Sequence, residues 1–202
     1  MASGAIGTIE ELEALYSTPS RTSLAKESDR VLAPHAEMIA ASPFCILATV
    51  GPKGIDCSPR GDAPGFVRVQ DERTVLLPDR KGNNRLDSLR NVIANRSAGL
   101  IFLVPGKGEA LRIAGEAIVT ADDAIRRSFE VDGKVPVTVV SISVRRVFYQ
   151  CARAILRSDL WRGVEARTDL PSAGEMTRAA DPTFDAGPYD AALAERQRQT
   201  LY

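Results

Sequence analysis

The chain has 202 residues, with 26 basic and 26 acidic side chains and one histidine. That length suits one compact domain with an appended segment and can bury a sizeable core. Balanced charge argues against a general nucleic-acid or anionic-membrane binder, and the single His35 against a histidine-built metal site or a Ser-His-Asp triad.

Three widely spaced cysteines, Cys45, Cys57 and Cys151, lack metal-ligand spacing. Cys45 and Cys57 lie in strand-like runs and read as buried free thiols, which implies a reducing compartment. The first residues carry no basic-then-apolar leader, and no run approaches about 18 apolar residues, the length of a membrane span. The expectation is a cytoplasmic soluble protein with no membrane and no nucleic-acid partner.

Thr8 and Glu11 have capping-box spacing for a helix over 8–16, with Ile9, Leu12, Leu15 and Tyr16 on one apolar stripe. Further helices are predicted from Ser23 to Val31 and from Pro34 to Ala41, the latter facing a core through Met38, Ile39 and Ala41. Residues 1–42 thus form a helical preface. From Phe44 the pattern becomes strand-like. Phe44–Val50 and Ile55–Pro59 form a hairpin about Gly51-Pro52-Lys53-Gly54, and Phe66–Val69 with Thr74–Pro78 form a second. A helix is predicted from Asn84 to Ala94 through Leu86, Leu89 and Ile93, ending at Asn95. Ala98–Val104 and Ala110–Thr120 are strands, with a bulge or bend at Gly115. Asp122-Asp123 opens a short helix through Phe129, and Val135–Gln150 is the longest strand. Hairpin-joined strands with helices only between them indicate an antiparallel barrel over residues 43–161. Cys151–Trp161 reads as a short helix carrying the only Trp. Residues 162–187 read as extended linker and Pro188–Tyr202 as a final helix, so 162–202 forms a tail.

Two cationic clusters stand about twenty positions apart: Ser58-Pro59-Arg60-Gly61-Asp62 and Asp79-Arg80-Lys81-Gly82-Asn83-Asn84-Arg85. Arginine, lysine and backbone N–H groups beside glycine suit a phosphate. Taken alone, Arg80-Lys81 could equally be solvated charges in a strand-to-helix loop, and Asn83-Asn84 ordinary turn residues. Cys151 could be a small buried hydrophobe, and Trp161 a core aromatic.

The order of these motifs, with Gly99-Leu100-Ile101-Phe102 and the segment Cys151-Ala152-Arg153-Ala154…Leu160-Trp161, resembles the pyridoxamine 5′-phosphate oxidase-like flavin split-barrel family. The likeness covers roughly residues 35–165 and is closer to a bacterial branch that has the Cys-Ala-Arg/Lys-Ala…Leu-Trp segment. It implies a mainly β fold, a six-stranded antiparallel split barrel, and a homodimer holding FMN at the subunit interface. It places Arg80 and Lys81 on the flavin phosphate, Ser58 and Arg60 as direct contacts, and Gly61 as a backbone contact. Asn84 and Arg85 follow at the start of a helix, where a phosphate is favoured. Trp161 would cover the flavin ring of the partner subunit. The closing residues Arg196-Gln197-Arg198-Gln199-Thr200-Leu201-Tyr202 depart from the basic pattern with which the oxidase recognises a phosphorylated pyridoxal. The resemblance therefore carries flavin binding and not that substrate. The expected activity is FMN-dependent oxidoreduction of a small organic molecule or a reduced nicotinamide, with no catalytic residue assigned and no metal. The alternatives are a non-enzymatic flavin carrier, or a barrel holding deazaflavin or haem.

Overall fold

A computed structural model describes residues 4–163 and 170–202. Its strands are β1 (Glu27–Ser28), β2 (Phe44–Gly51), β3 (Gly54–Gly61), β4 (Arg68–Asp71), β5 (Thr74–Pro78), β6 (Ser97–Leu103), β7 (Ala110–Thr120) and β8 (Val139–Gln150). They make one eight-stranded sheet of antiparallel pairs in the order β3-β2-β6-β7-β8-β5-β4, with β1 pairing separately on β8. This is the mainly β split-barrel class expected. The count exceeds six partly because the backbone around Ser28 pairs with Val147, where a helix over Ser23–Val31 was expected.

Alternation sets the core. On β2, Cys45, Leu47 and Thr49 point inward while Phe44, Ile46 and Ala48 are only half-buried. Phe102, Leu111, Val75, Leu77, Val140 and Ile142 complete the inner layer from neighbouring strands. Each such side chain contributes about 2 kcal/mol by leaving water. The inward phase on β8 changes from Val140, Ile142 and Val144 to Val147. The cause lies in the β7–β8 register, where Ala114 pairs with Arg146 but Gly115 pairs with Val144. Arg145 is therefore the extra residue, and the bulge expected at Gly115 is carried by the strand opposite it. Gly115 supplies the room, because a β-carbon there would overlap the Ser143 carbonyl oxygen.

The helices are α1 (Ile9–Glu13), α2 (Arg21–Ala25), α3 (Ala33–Ala41), α4 (Asp87–Asn95), α5 (Asp123–Ser128), α6 (Arg153–Ser158), α7 (Ala173–Ala180) and α8 (Ala186–Gln199). The Thr8/Glu11 capping box forms, yet Ile9, Leu12, Leu15 and Tyr16 remain exposed, so the α1 stripe is not a core face within this chain. On α3, Ile39 is buried and Met38 packs against the core, whereas Ala41 is exposed. On α4, Leu89 and Val92 are buried; Leu86 is not, because the helix starts three residues later than the apolar spacing suggested, and Ile93 is not, because it lies to one side of the face that Ser88, Leu89 and Val92 bury. α4 is pinned to β2: the Asn91 amide donates to Thr49 Oγ1 at 3.1 Å.

The stretch expected as linker contains α7, opened by a Ser172/Glu175 capping box; residues 164–169 of that stretch lie outside the described residues. Cys45 is fully buried and its thiol pKa is pushed by burial up to about 12. Cys57, by contrast, is exposed, because it occupies the outward phase of β3.

Candidate functional site

A cavity of about 1080 Å³ lies against β3, between the loop from Pro78 to Leu86, the start of α4 and the segment from Lys134 to Thr138. Ser58, Arg60, Gly61, Arg80, Lys81, Asn84 and Arg85 all line it. Trp161 does not. It lines a smaller hollow of about 380 Å³ with Gly106 and Leu156, and its indole N–H donates to the Lys107 carbonyl at 2.7 Å.

The pleat of β3 explains one wall. Asp56, Ser58 and Arg60 share the more covered phase, while Cys57 and Pro59 lie on the exposed one. The opposite wall is a loop of unusual backbone. Asn84 and Leu86 both hold left-handed conformations, with φ of 58° and 60°. For a leucine that conformation costs on the order of 1 kcal/mol and persists only where its surroundings enforce it. It turns the chain sharply into α4, whose N-cap Leu86 offers no side-chain oxygen. Asn84 and Arg85 therefore stand before the helix and not within its first turn. Arg85 donates its N–H to Asn83 Oδ1 at 3.1 Å and pairs with Asp87 at 2.8 Å. Ser88, at the start of α4, donates its hydroxyl to Asp56 across the cavity floor at 2.7 Å.

The two arginines are not bare cations. Arg60 Nη1 pairs with Asp79 at 2.7 Å, and Arg80 Nε pairs with Asp62 at 2.6 Å. Arg80 Nη1 also donates to the Phe129 carbonyl at 2.7 Å. Asp62 has a side chain only 2% exposed, and its Oδ1 accepts from the Tyr202 hydroxyl at 2.6 Å and from the Ala63 N–H at 2.7 Å. The Tyr202 ring lies 5.5 Å from the Arg80 guanidinium. Sequence reasoning missed Asp62 as the partner of Arg80, and Tyr202 altogether; a contact across 140 positions leaves no local signal.

Two polar atoms are left over. Arg60 Nε and Thr138 Oγ1, both on residues lining the cavity, are buried without a hydrogen-bond partner among the described residues. Lys81 and Lys134 also line it, and neither has a carboxylate partner among the described residues. Orphaned donors beside unpaired cations suit an anionic ligand with several acceptor oxygens. Among the described residues no group of three or more His, Cys, Asp or Glu could hold a metal.

Burial pushes the Asp62 carboxyl up, but the hydrogen bonds from Tyr202, Ala63 and Arg80 outweigh it and hold the pKa below the ordinary 3.8. A depressed carboxylate stabilises the fold fully above its unfolded pKa and loses that contribution as pH falls through the lower folded value. Acid titration followed by circular dichroism is therefore expected to show part of the wild-type stability disappearing below about pH 4, with a shallower acid limb in Asp62→Asn.

The family model for pyridoxamine 5′-phosphate oxidase matches residues 32–151. Among solved structures, HupZ of Group A Streptococcus is similar at 19% identity, covering 60% of this chain and 94% of that one, with a TM-score of 0.51. General Stress Protein 26 from Bacillus anthracis is 11% identical over 56% of this chain and 88% of its own, with a TM-score of 0.42. The FAD binding protein from Mycobacterium smegmatis is 12% identical over 61% and 97%, with a TM-score of 0.39. At 19% identity the likeness to HupZ is one of fold alone. No curated protein sequence matches significantly.

Proposed function

The chain belongs to the pyridoxamine 5′-phosphate oxidase family, and from that premise we propose that it is an FMN-binding flavoprotein acting as an oxidoreductase on a small organic substrate or a reduced nicotinamide. The observation that carries this reading is the single cavity into which Arg60, Arg80 and Lys81 converge, with orphaned donors still unspent. Its volume is ample for one drug-sized ligand.

In this reading Lys81 supplies the uncompensated charge for the flavin phosphate, since Asp62 already neutralises Arg80. Arg80 and Arg60 supply directed N–H groups, Ser58 a hydroxyl and Gly61 a backbone contact. Asn84 and Arg85 close the phosphate end from the strained loop. When bound, the flavin itself carries the hydride or electron chemistry. The chain's share is placement, electrostatics and exclusion of water.

A homodimer accords with the outer face of the sheet. Pro59, Ile46 and Ile101 form one cross-strand row there, and Cys57, Ala48, Gly99 and Ala114 form the next. This small and apolar surface lies opposite the filled core. Trp161 of one subunit would then cover the flavin held with its partner. No described helix is long and apolar enough to cross a membrane. The unbridged Cys45, Cys57 and Cys151 suit a cytoplasmic setting.

Mass spectrometry of the ligand released from purified protein is expected to show FMN; deazaflavin or haem in its place would sink this reading. Lys81→Ala is expected to weaken FMN binding about 10- to 100-fold, the worth of one charge-assisted contact. Its melting temperature should not change, because Lys81 is exposed. Bleaching of the bound flavin by a reduced nicotinamide, with turnover in air, separates an enzyme from a carrier.

A further inference from the structure

We infer that Tyr202 is a positioning residue for the phosphate end of the cavity, acting through Asp62 to keep an N–H face of Arg80 available to the ligand. This rests on the flavin reading above. Three contacts carry it. The Tyr202 hydroxyl donates to Asp62 Oδ1 at 2.6 Å, the Arg80 Nε donates to the other oxygen at 2.6 Å, and the Tyr202 ring covers the guanidinium at 5.5 Å.

A carboxylate beside a guanidinium prefers to accept two parallel N–H bonds. Here Asp62 accepts only one from Arg80, because Oδ1 is occupied by Tyr202 and by the Ala63 N–H. Arg80 Nη1 is held by the Phe129 carbonyl. The remaining N–H groups of Arg80 are thus left for the cavity it lines. Without the hydroxyl, Oδ1 could draw a second Arg80 N–H into a two-bond pair and withdraw it from the ligand. Tyr202 follows α8 and arrives from outside the barrel, so this part of the site is assembled by the tail.

The test compares dissociation constants for FMN and for riboflavin, which lacks the phosphate, in wild type, Tyr202→Phe and Tyr202→Ala. Tyr202→Phe is expected to weaken FMN about 10-fold and leave riboflavin unchanged, with Tyr202→Ala weaker still because the ring over Arg80 is also lost. Equal weakening of both flavins would mark Tyr202 as a general structural prop, and unchanged FMN affinity would remove it from the site; either overturns the proposal. A wild-type protein that binds neither flavin refutes the flavin reading separately. In that event inorganic phosphate is the probe: a phosphate-induced rise in Tm that shrinks in Tyr202→Phe supports the positioning role, and an equal response in both proteins overturns it.

Discussion

Arg80→Ala is expected to destabilise the fold by about 3 kcal/mol in addition to losing the flavin, because it strands a buried carboxylate. Asp62 is almost wholly enclosed, and Arg80 is its only ionic partner among the described residues. Removing one member of such a pair costs far more than removing both, since the penalty is that of an uncompensated charge. Urea denaturation should therefore show Arg80→Ala as the least stable variant, with much of the loss recovered in Arg80→Ala/Asp62→Ala. The recovered double variant should still fail to retain FMN. If Arg80→Ala unfolds at the same urea concentration as wild type, the network is not what holds the loop to β3. Because Arg80 has this second role, Lys81→Ala is the cleaner probe of the phosphate.

Gly115→Ala is the second change with a large effect. The new methyl group would overlap the Ser143 carbonyl and crowd Val144 Cα, and both obstacles are backbone in a paired strand. Neither can rotate aside, so the overpacking should cost about 3 kcal/mol. The injury falls on the β7–β8 pair, which carries the register change that brings Val147 inward. Differential scanning calorimetry should show Tm falling by several degrees, roughly 4–8 °C per kcal/mol for a small domain and less for one of this size. A Tm within one degree of wild type would mean that the bulge can relax.

The strand hairpins were legible because period-two alternation and turn residues such as Gly51-Pro52-Lys53-Gly54 are local signals. The special status of Gly115 was legible for the same reason, as a glycine interrupting an apolar run. The extra residue opposite it was not, since Arg145 looks ordinary until its partner strand is known. α4 illustrates the converse failure. Leu86 and Ile93 have helical spacing, yet Leu86 turns left-handed to feed the helix, which begins one residue later. The α1 stripe has a helical period but no packing partner among the described residues. α7 was legible in part, since Ser172 and Glu175 have capping-box spacing, but its short run Ala173–Ala180 between prolines has Met176 as its one large apolar residue and reads as linker.

By itself the sequence determined the strands, the two cationic clusters and their order, because each depends on residues within a few positions of one another. The tertiary structure decided what those cations are for. It neutralised Arg60 with Asp79 and Arg80 with Asp62, left Lys81 without a carboxylate partner among the described residues, and brought Tyr202 to Asp62, 140 residues away in sequence. Charge compensation depends on distances of a few ångströms between segments far apart in the chain, and only the folded backbone sets those distances.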